Sequence, residues 1–174
     1  IEGGDEPQEP TGKPRKIQAP SDWPKSEELD SWKLLPTKPD WAKDFAQVWT
    51  PGEAGAKKRL DDFIDSALKG YEKGRDFPAQ PSTSMLSPHL AHGEITPAQL
   101  WHATKGLSSH IASNDISRFR KEIVWREFCY HLLFHWPKLD EENWNDSFDA
   151  FEWKTDTAKF DAWKKGMTGY PIVD

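Results

Sequence analysis

Apolar residues along this chain recur at helical spacing, and turn-forming residues separate the stretches. Leu60, Phe63, Ile64, Ala67, Leu68 and Tyr71 fall on one stripe of a helix, which Gly74 is expected to end. Ahead of that stripe, Thr50-Pro51-Gly52-Glu53 reads as a capping box. Thr50 would accept from the Glu53 amide, with proline in the first turn. A turn-rich segment runs from Pro78 to Ser87. Ser87-Pro88 then starts a short helix closed by Gly93. Thr96-Pro97-Ala98-Gln99 is a second capping box, leading a helix through Leu100, Ala103 and Leu107. Asp115 is the expected N-cap of a long helix carrying Ile116, Phe119, Ile123, Phe128 and Leu132, which Pro137 stops. A loop with Trp144 and Trp153 precedes a short helix around Phe160 and Trp163. No strand-like alternation and no internal repeat interrupts this pattern, so the predicted class is all-α.

Residues 1–40 break the pattern. Pro7, Pro10, Pro14, Pro20, Pro24, Pro36 and Pro39 are scattered among charges, a composition that buries little apolar surface and reads as an extended linker. Trp23, Trp32 and Trp41 punctuate it, as if anchoring it along a folded body. The folded domain is expected over 41–174. The 174 residues suffice for one domain with a core. Charged residues make up 30% and mean hydropathy is -0.84, and no stretch approaches the roughly 20 apolar residues of a membrane span. The first residues, Ile1-Glu2-Gly3-Gly4-Asp5, lack the pattern of a secretory signal. A lone cysteine, Cys129, rules out an internal disulfide and suits a reducing, cytoplasmic setting. The Ile1 start and the apolar stretch Tyr170-Pro171-Ile172-Val173 lead us to expect a fragment of a longer protein.

Three constellations carry chemistry, each with a plainer reading beside it. Ser82-Thr83-Ser84-Met85-Leu86-Ser87 sets hydroxyls and amides before a helix, which suits a phosphate or else ordinary capping by Ser87. Arg118, Arg120, Lys121 and Arg126, with Trp125 among them, suit a nucleic-acid backbone or else a solvated basic face; the net charge of -6 argues weakly against the former. Glu122 and Trp125 share a helix face. They suit a nucleobase, hydrogen-bonded at its edge and stacked on the ring, or else a salt-bridged Glu beside a core Trp. No metal site is expected. His131 and His135 lack the intervening Glu of a zinc-binding helix, and His89 and His92 suit a cap or surface role. Cys129, mid-helix beside apolar residues, reads as an inert core thiol.

The motifs form an ordered series: Trp49-Thr50-Pro51-Gly52-Glu53; Tyr71 with Arg75-Asp76-Phe77-Pro78; Thr83 through Leu90; Gly93-Glu94-Ile95-Thr96-Pro97; Glu122 through Phe128; Ala162-Trp163 with Gly166; and Thr168 through Asp174. In that order and spacing the chain resembles the flavin-binding helical domain of the photolyase/cryptochrome family, nearest in its motifs to class I deoxyribodipyrimidine photolyases. Residues before Trp41 resemble an interdomain connector.

The resemblance implies FAD as cofactor and DNA containing pyrimidine dimers as partner. It implies light-driven splitting of cyclobutane dimers by an electron from excited reduced flavin. Tyr71 and the turn Thr83, Ser84, Met85, Leu86, Ser87 match flavin-binding positions. Phe119 matches an aromatic position against the flavin, and Arg126 the arginine that neutralises the pyrophosphate. Glu122 and Trp125 match residues that meet the flipped dimer, and Trp153 the outer tryptophan of the electron-transfer chain. Arg75 matches a DNA-contacting arginine, and Cys129 is grouped with Arg75, Glu122 and Trp125 on the DNA side. An antenna chromophore would sit in a further domain. The intact protein is expected to be a monomer without membrane contact, built with the remainder of a photolyase chain. Residues 1–174 alone are expected neither to hold FAD tightly nor to repair DNA. The same resemblance leaves a blue-light photoreceptor of cryptochrome type, with FAD but no repair, as the alternative. A (6-4) photolyase and a cofactor-free helical interaction module stand behind it.

Overall fold

A computed structural model describes residues 5–174, and among these the chain is helical with no strand. The elements are α1 (Phe45–Val48), α2 (Glu53–Ser66), α3 (Tyr71–Gly74), α4 (Ser87–Ala91), α5 (Pro97–Ala103), α6 (Ser113–His135) and α7 (Thr157–Lys164). Short 3₁₀ turns lie at Leu29–Trp32, Leu107–Ser109 and Asp146–Phe148. The chain divides into two compact units, one ending at Glu127 and one covering Phe128–Asp174.

The first unit holds the core. Ala56, Leu60 and Phe63 of α2 pack with Leu68, Tyr71, Leu86, Ile95, Leu100, Phe119 and Ile123. Leu60, Phe63, Leu68, Tyr71, Leu100, Phe119 and Ile123 are positions that the helical spacing selects; Ala56, Leu86 and Ile95 are not among them, and Phe128, on the predicted α6 stripe, is exposed. At the centre three aromatic rings meet: Phe63 and Phe119 at 4.9 Å, Phe63 and Tyr71 at 5.5 Å, Tyr71 and Phe119 at 5.6 Å. Tyr71 meets both phenylalanines edge to face, and such pairs add about 0.5–1.5 kcal/mol each beyond the area they bury.

Several boundaries differ from expectation for identifiable reasons. The predicted stripe is two helices. Ser66 ends α2, and Gly70 at φ 86° turns the chain before Tyr71 opens α3. The Thr50 capping box does not form. Gly52, with φ 96°, precedes α2 instead, without a side-chain cap. Thr50 packs against the helix's own first turn, where a Cβ on Gly55 would lie 1.9 Å from the Thr50 carbonyl oxygen. Ser87 is not a cap either, since it is the first residue of α4 and Leu86 precedes it. The Thr96 box forms as predicted, with Gln99 and Thr96 exchanging both bonds and Pro97 in the first turn.

Asp115 is the most informative departure. It lies inside α6, two residues past the start at Ser113, and is buried. Its carboxylate accepts from the Gly70 amide at 2.8 Å and the Glu72 amide at 2.9 Å. The residue expected to cap its own helix caps α3.

The second unit has no buried residue. Its rings pair locally: Trp136 with Trp144 at 5.8 Å, Phe151 with Trp153 at 4.9 Å, and Phe160 stacked on Trp163 at 5.7 Å. The Asp174 carboxylate accepts from the Thr168 amide and hydroxyl and the Gly169 amide. Residues 1–4 of the expected linker lie outside the described residues. From residue 5 to 40 the chain is largely irregular, and Trp23, Trp32 and Trp41 are exposed instead of acting as anchors.

Replacing Asp115 with Ala leaves two partly buried amides without their acceptor. The expected loss of stability is about 1–3 kcal/mol, with Asp115→Asn losing less because one acceptor oxygen remains. Urea unfolding of the three proteins checks this. An unchanged midpoint for Asp115→Ala shows that other contacts hold α3.

Candidate functional site

The site is built where α3 meets α6. Tyr71 opens α3 and is buried against Phe63 and Phe119. Burial pushes its hydroxyl up, and Glu122 adds to this against the opposing effect of Arg75 and Arg118, so it stays a neutral phenol. One turn on, the Arg75 guanidinium lies 5.8 Å from the Tyr71 ring centroid. Arg75 Nη1 is ion-paired with Glu122 Oε1, and Arg118 Nε approaches the same oxygen at 3.7 Å. Burial works against the Arg75 charge. The Glu122 hydrogen bond, the Glu122 charge and then Tyr71 and Asp76 outweigh it and hold the guanidinium above its ordinary range. Glu122 is thus a half-buried carboxylate between two guanidiniums. Trp125, three residues on, shares its helix face with the ring about half exposed.

The turn before α4 is the second part. Met85 adopts φ 54°, a left-handed conformation uncommon for a residue with a side chain. Trp49 holds it there, its Nε1 donating to the Met85 carbonyl at 3.1 Å, while Leu86 is 1% exposed in the core. Among the described residues, the amides of Thr83, Ser84 and Met85 and the hydroxyls of Thr83, Ser84 and Ser87 have no protein partner. Thr83, Ser84 and Met85 also line a cleft of about 530 Å³ with Arg59, Phe63 and Ala67. Uncommitted donors on a fixed backbone facing open space fit a phosphate. Behind the turn, buried His89 of α4 shares a hydrogen at 2.5 Å with Glu94.

The other predicted residues are placed as follows. Phe119 is at 4% exposure within the core rings. Arg126 donates weakly to the Leu90 carbonyl at 3.4 Å, near the end of α4 away from the turn, and pairs with Glu127 at 2.9 Å. Trp153 belongs to the second unit and is 80% exposed. Cys129 is exposed, which overturns its reading as a core thiol: the α6 face that packs inward carries Ile116, Phe119 and Ile123, and Cys129 is off that stripe. Among the described residues no cluster of metal-ligating side chains occurs, and no helix is long and apolar enough to cross a membrane. The Arg118–Glu122 and Trp49–Met85 contacts and the His89–Glu94 pair were not predicted, and His89, read as a cap or surface residue, is buried. The four-residue step from Arg118 to Glu122 was visible in the sequence; the others join distant or irregular segments.

Comparison with known proteins gives a consistent answer. Residues 119–174 match the family described as the FAD binding domain of DNA photolyase. The whole chain is 74% identical to a deoxyribodipyrimidine photo-lyase of Agrobacterium fabrum, covering 36% of that protein. It is 40% identical over 139 residues to a deoxyribodipyrimidine photo-lyase of Synechococcus, covering 78% of this chain and 28% of the relative. The crystal structure of a class III photolyase from Agrobacterium tumefaciens superposes on 99% of the chain with a TM-score of 0.93 at 74% identity, covering 36% of that structure. The chain therefore spans about a third of the length of these relatives. The motif series was read as nearest to class I, whereas the structure that is 74% identical is described as a class III photolyase.

The His89–Glu94 bond sets a pH dependence. The hydrogen bond from His89 lowers the Glu94 carboxyl, helped by the Gly52 amide. A carboxyl lowered on folding contributes stability that is complete above its ordinary pKa and is lost as pH falls through the lowered value. Urea midpoints followed from neutral into acid are expected to fall less steeply in Glu94→Gln than in the parent over that window. Parallel profiles count against the bond as a stabilising element.

Proposed function

The chain belongs to the DNA photolyase family, and from that we propose that it forms the first part of the FAD-binding repair domain of a deoxyribodipyrimidine photo-lyase. In this reading residues 41–174 are catalytic-domain sequence, and 1–40 connect them to what precedes. The substrate is DNA carrying a cyclobutane pyrimidine dimer, and the setting is cytoplasmic. FAD, when bound, supplies the light-driven electron transfer that opens the cyclobutane ring.

The residues of this chain do the holding and orienting. Thr83, Ser84 and Met85 offer uncommitted amides and hydroxyls to the cofactor's phosphates, with Ser87 beside them. Arg126 contributes positive charge, and Tyr71 and Phe119 give the wall rigidity. Trp153, exposed in its own unit, is read as the entry point for electrons. The observation that carries the proposal is the state of Glu122. A carboxylate held by Arg75 and Arg118, with the Trp125 ring half exposed one helical turn away, is an acceptor aimed beside a stacking surface. That pair recognises a flat base with N–H donors at its edge. The dimer has to leave the duplex to reach it, which costs a few kcal/mol and less at a damaged pair. Arg75 has a double role, positioning Glu122 and offering charge to the DNA backbone.

The test uses the parent protein at the relatives' full length, with an oligonucleotide containing one cyclobutane dimer under blue light. Glu122→Ala and Trp125→Ala are each expected to weaken dimer binding about tenfold or more, the scale of one charge-assisted hydrogen bond or one base stack, while flavin absorbance stays. A yellow protein without repair moves the reading to a cryptochrome-type photoreceptor. A colourless protein removes the flavin altogether.

A further inference from the structure

A larger cavity than the turn cleft lies elsewhere in the first unit. It is a space of about 1100 Å³ between α5 and α6, lined by Trp101, Thr104, Lys105, Arg120 and Lys121, with Trp125 at its edge. Arg120 is folded into its wall. Its guanidinium lies 4.6 Å from the Trp101 ring centroid, Nε donates to Thr104 Oγ1 at 2.9 Å, and Nη2 donates to the Trp101 carbonyl at 3.2 Å. All three are neutral partners, and burial pushes Arg120 down. The one acidic group that counters this is Glu6, on the extended N-terminal segment. Glu6 is also paired with Lys105 at 2.6 Å. The Trp101 indole N–H is closed off from solvent and completes no hydrogen bond, though it is near enough to Glu6 to help hold that carboxyl low, after Lys105.

One carboxylate, paired with an ammonium, therefore shares the cavity wall with a guanidinium and an unsatisfied indole N–H. A carboxylate uses two oxygens; a phosphate ester offers more acceptors and more charge to the same donors. The cavity also extends past the anion subsite along Ile116 and Val124 to the Trp125 ring, so it exceeds what an inorganic ion needs. We propose that this cleft is a second binding site, for a nucleoside phosphate, and that Glu6 fills its anion subsite when no nucleotide is bound. The segment carrying Glu6 is tethered separately. His102 Nε2 donates to the Pro7 carbonyl at 2.8 Å and the Gln8 carbonyl at 3.2 Å. The Glu6 side chain can swing out while the backbone stays attached to α5. The cavity shares Arg118 and Trp125 with the proposed dimer site, but its anion subsite at Lys105, Arg120 and Trp101 is argued without that reading.

Calorimetric titration of the purified protein with adenosine 5′-monophosphate, adenosine and inorganic phosphate tests it. The monophosphate is expected to bind about tenfold or more tightly than adenosine, the scale of charge-assisted hydrogen bonds. Lys105→Met is expected to weaken it by about fivefold or more, and Glu6→Gln to tighten it about threefold by removing the competing charge. Both positions are surface side chains, and circular dichroism confirms folding. Equal binding of adenosine, indifference to both substitutions, binding of inorganic phosphate alone, or no saturation even in Glu6→Gln each overturns the proposal. So does saturation by a longer oligonucleotide only.

Discussion

Asp115 joins two stretches 45 residues apart in sequence, and the geometry of the site follows from that contact. Two backbone amides of the α3 entry converge on one buried carboxylate near the start of α6. With the first turn of α3 held there, Tyr71 meets Phe119, one turn past Asp115 in α6, and Arg75, the residue that follows α3, reaches Glu122. Two short helical repeats running from one fixed point bring aromatic to aromatic and cation to anion. An isolated four-residue helix has too few hydrogen bonds to persist in water, so α3 exists because α6 supplies its cap.

What was readable in the chain beforehand follows the range of the interaction responsible. The Thr96 box is local, with four residues settling it, and it formed as read. The apolar stripes selected most of the core, because helical spacing decides which face is buried; Leu86 and Ile95 enter it from outside the helices and were missed. The Thr50 box has the same Thr-Pro opening and failed, since Gly52 turns the backbone away and Gly55 admits Thr50 against the helix. Asp115 looked like a cap and was one, for another helix, because tertiary amides out of reach of any local pattern competed for its carboxylate. Cys129 was misjudged by its neighbours in sequence, which alternate between faces of α6. In the site, Glu122 and Trp125 on one face were legible. The partner that matters most to Glu122, Arg75, was named for a different reason and arrives through the fold.

Electrostatic organisation here is local. The chain is acidic overall, and the arginines of α6 are engaged by specific partners. The Arg118–Glu122 pair has the cation on the N-terminal side, the weaker orientation for a helical pair, and both side chains are partly solvated. Its contribution is to direct the carboxylate more than to hold the helix together. Arg120 is the contrasting case, a guanidinium covered by an indole ring and neutral oxygens.

The pairing of Glu122 with Arg75 also has a bearing on selectivity. A carboxylate left alone in a half-buried cleft would accept from almost any donor that entered. One already engaged by a guanidinium sets a threshold: an incoming base must offer donors well enough placed to share or displace that partner. Under the proposed repair function, weak visitors, including bases still held in an intact duplex, would gain nothing by the exchange. Discrimination would then arise from the resting arrangement of two side chains, before any lesion is met.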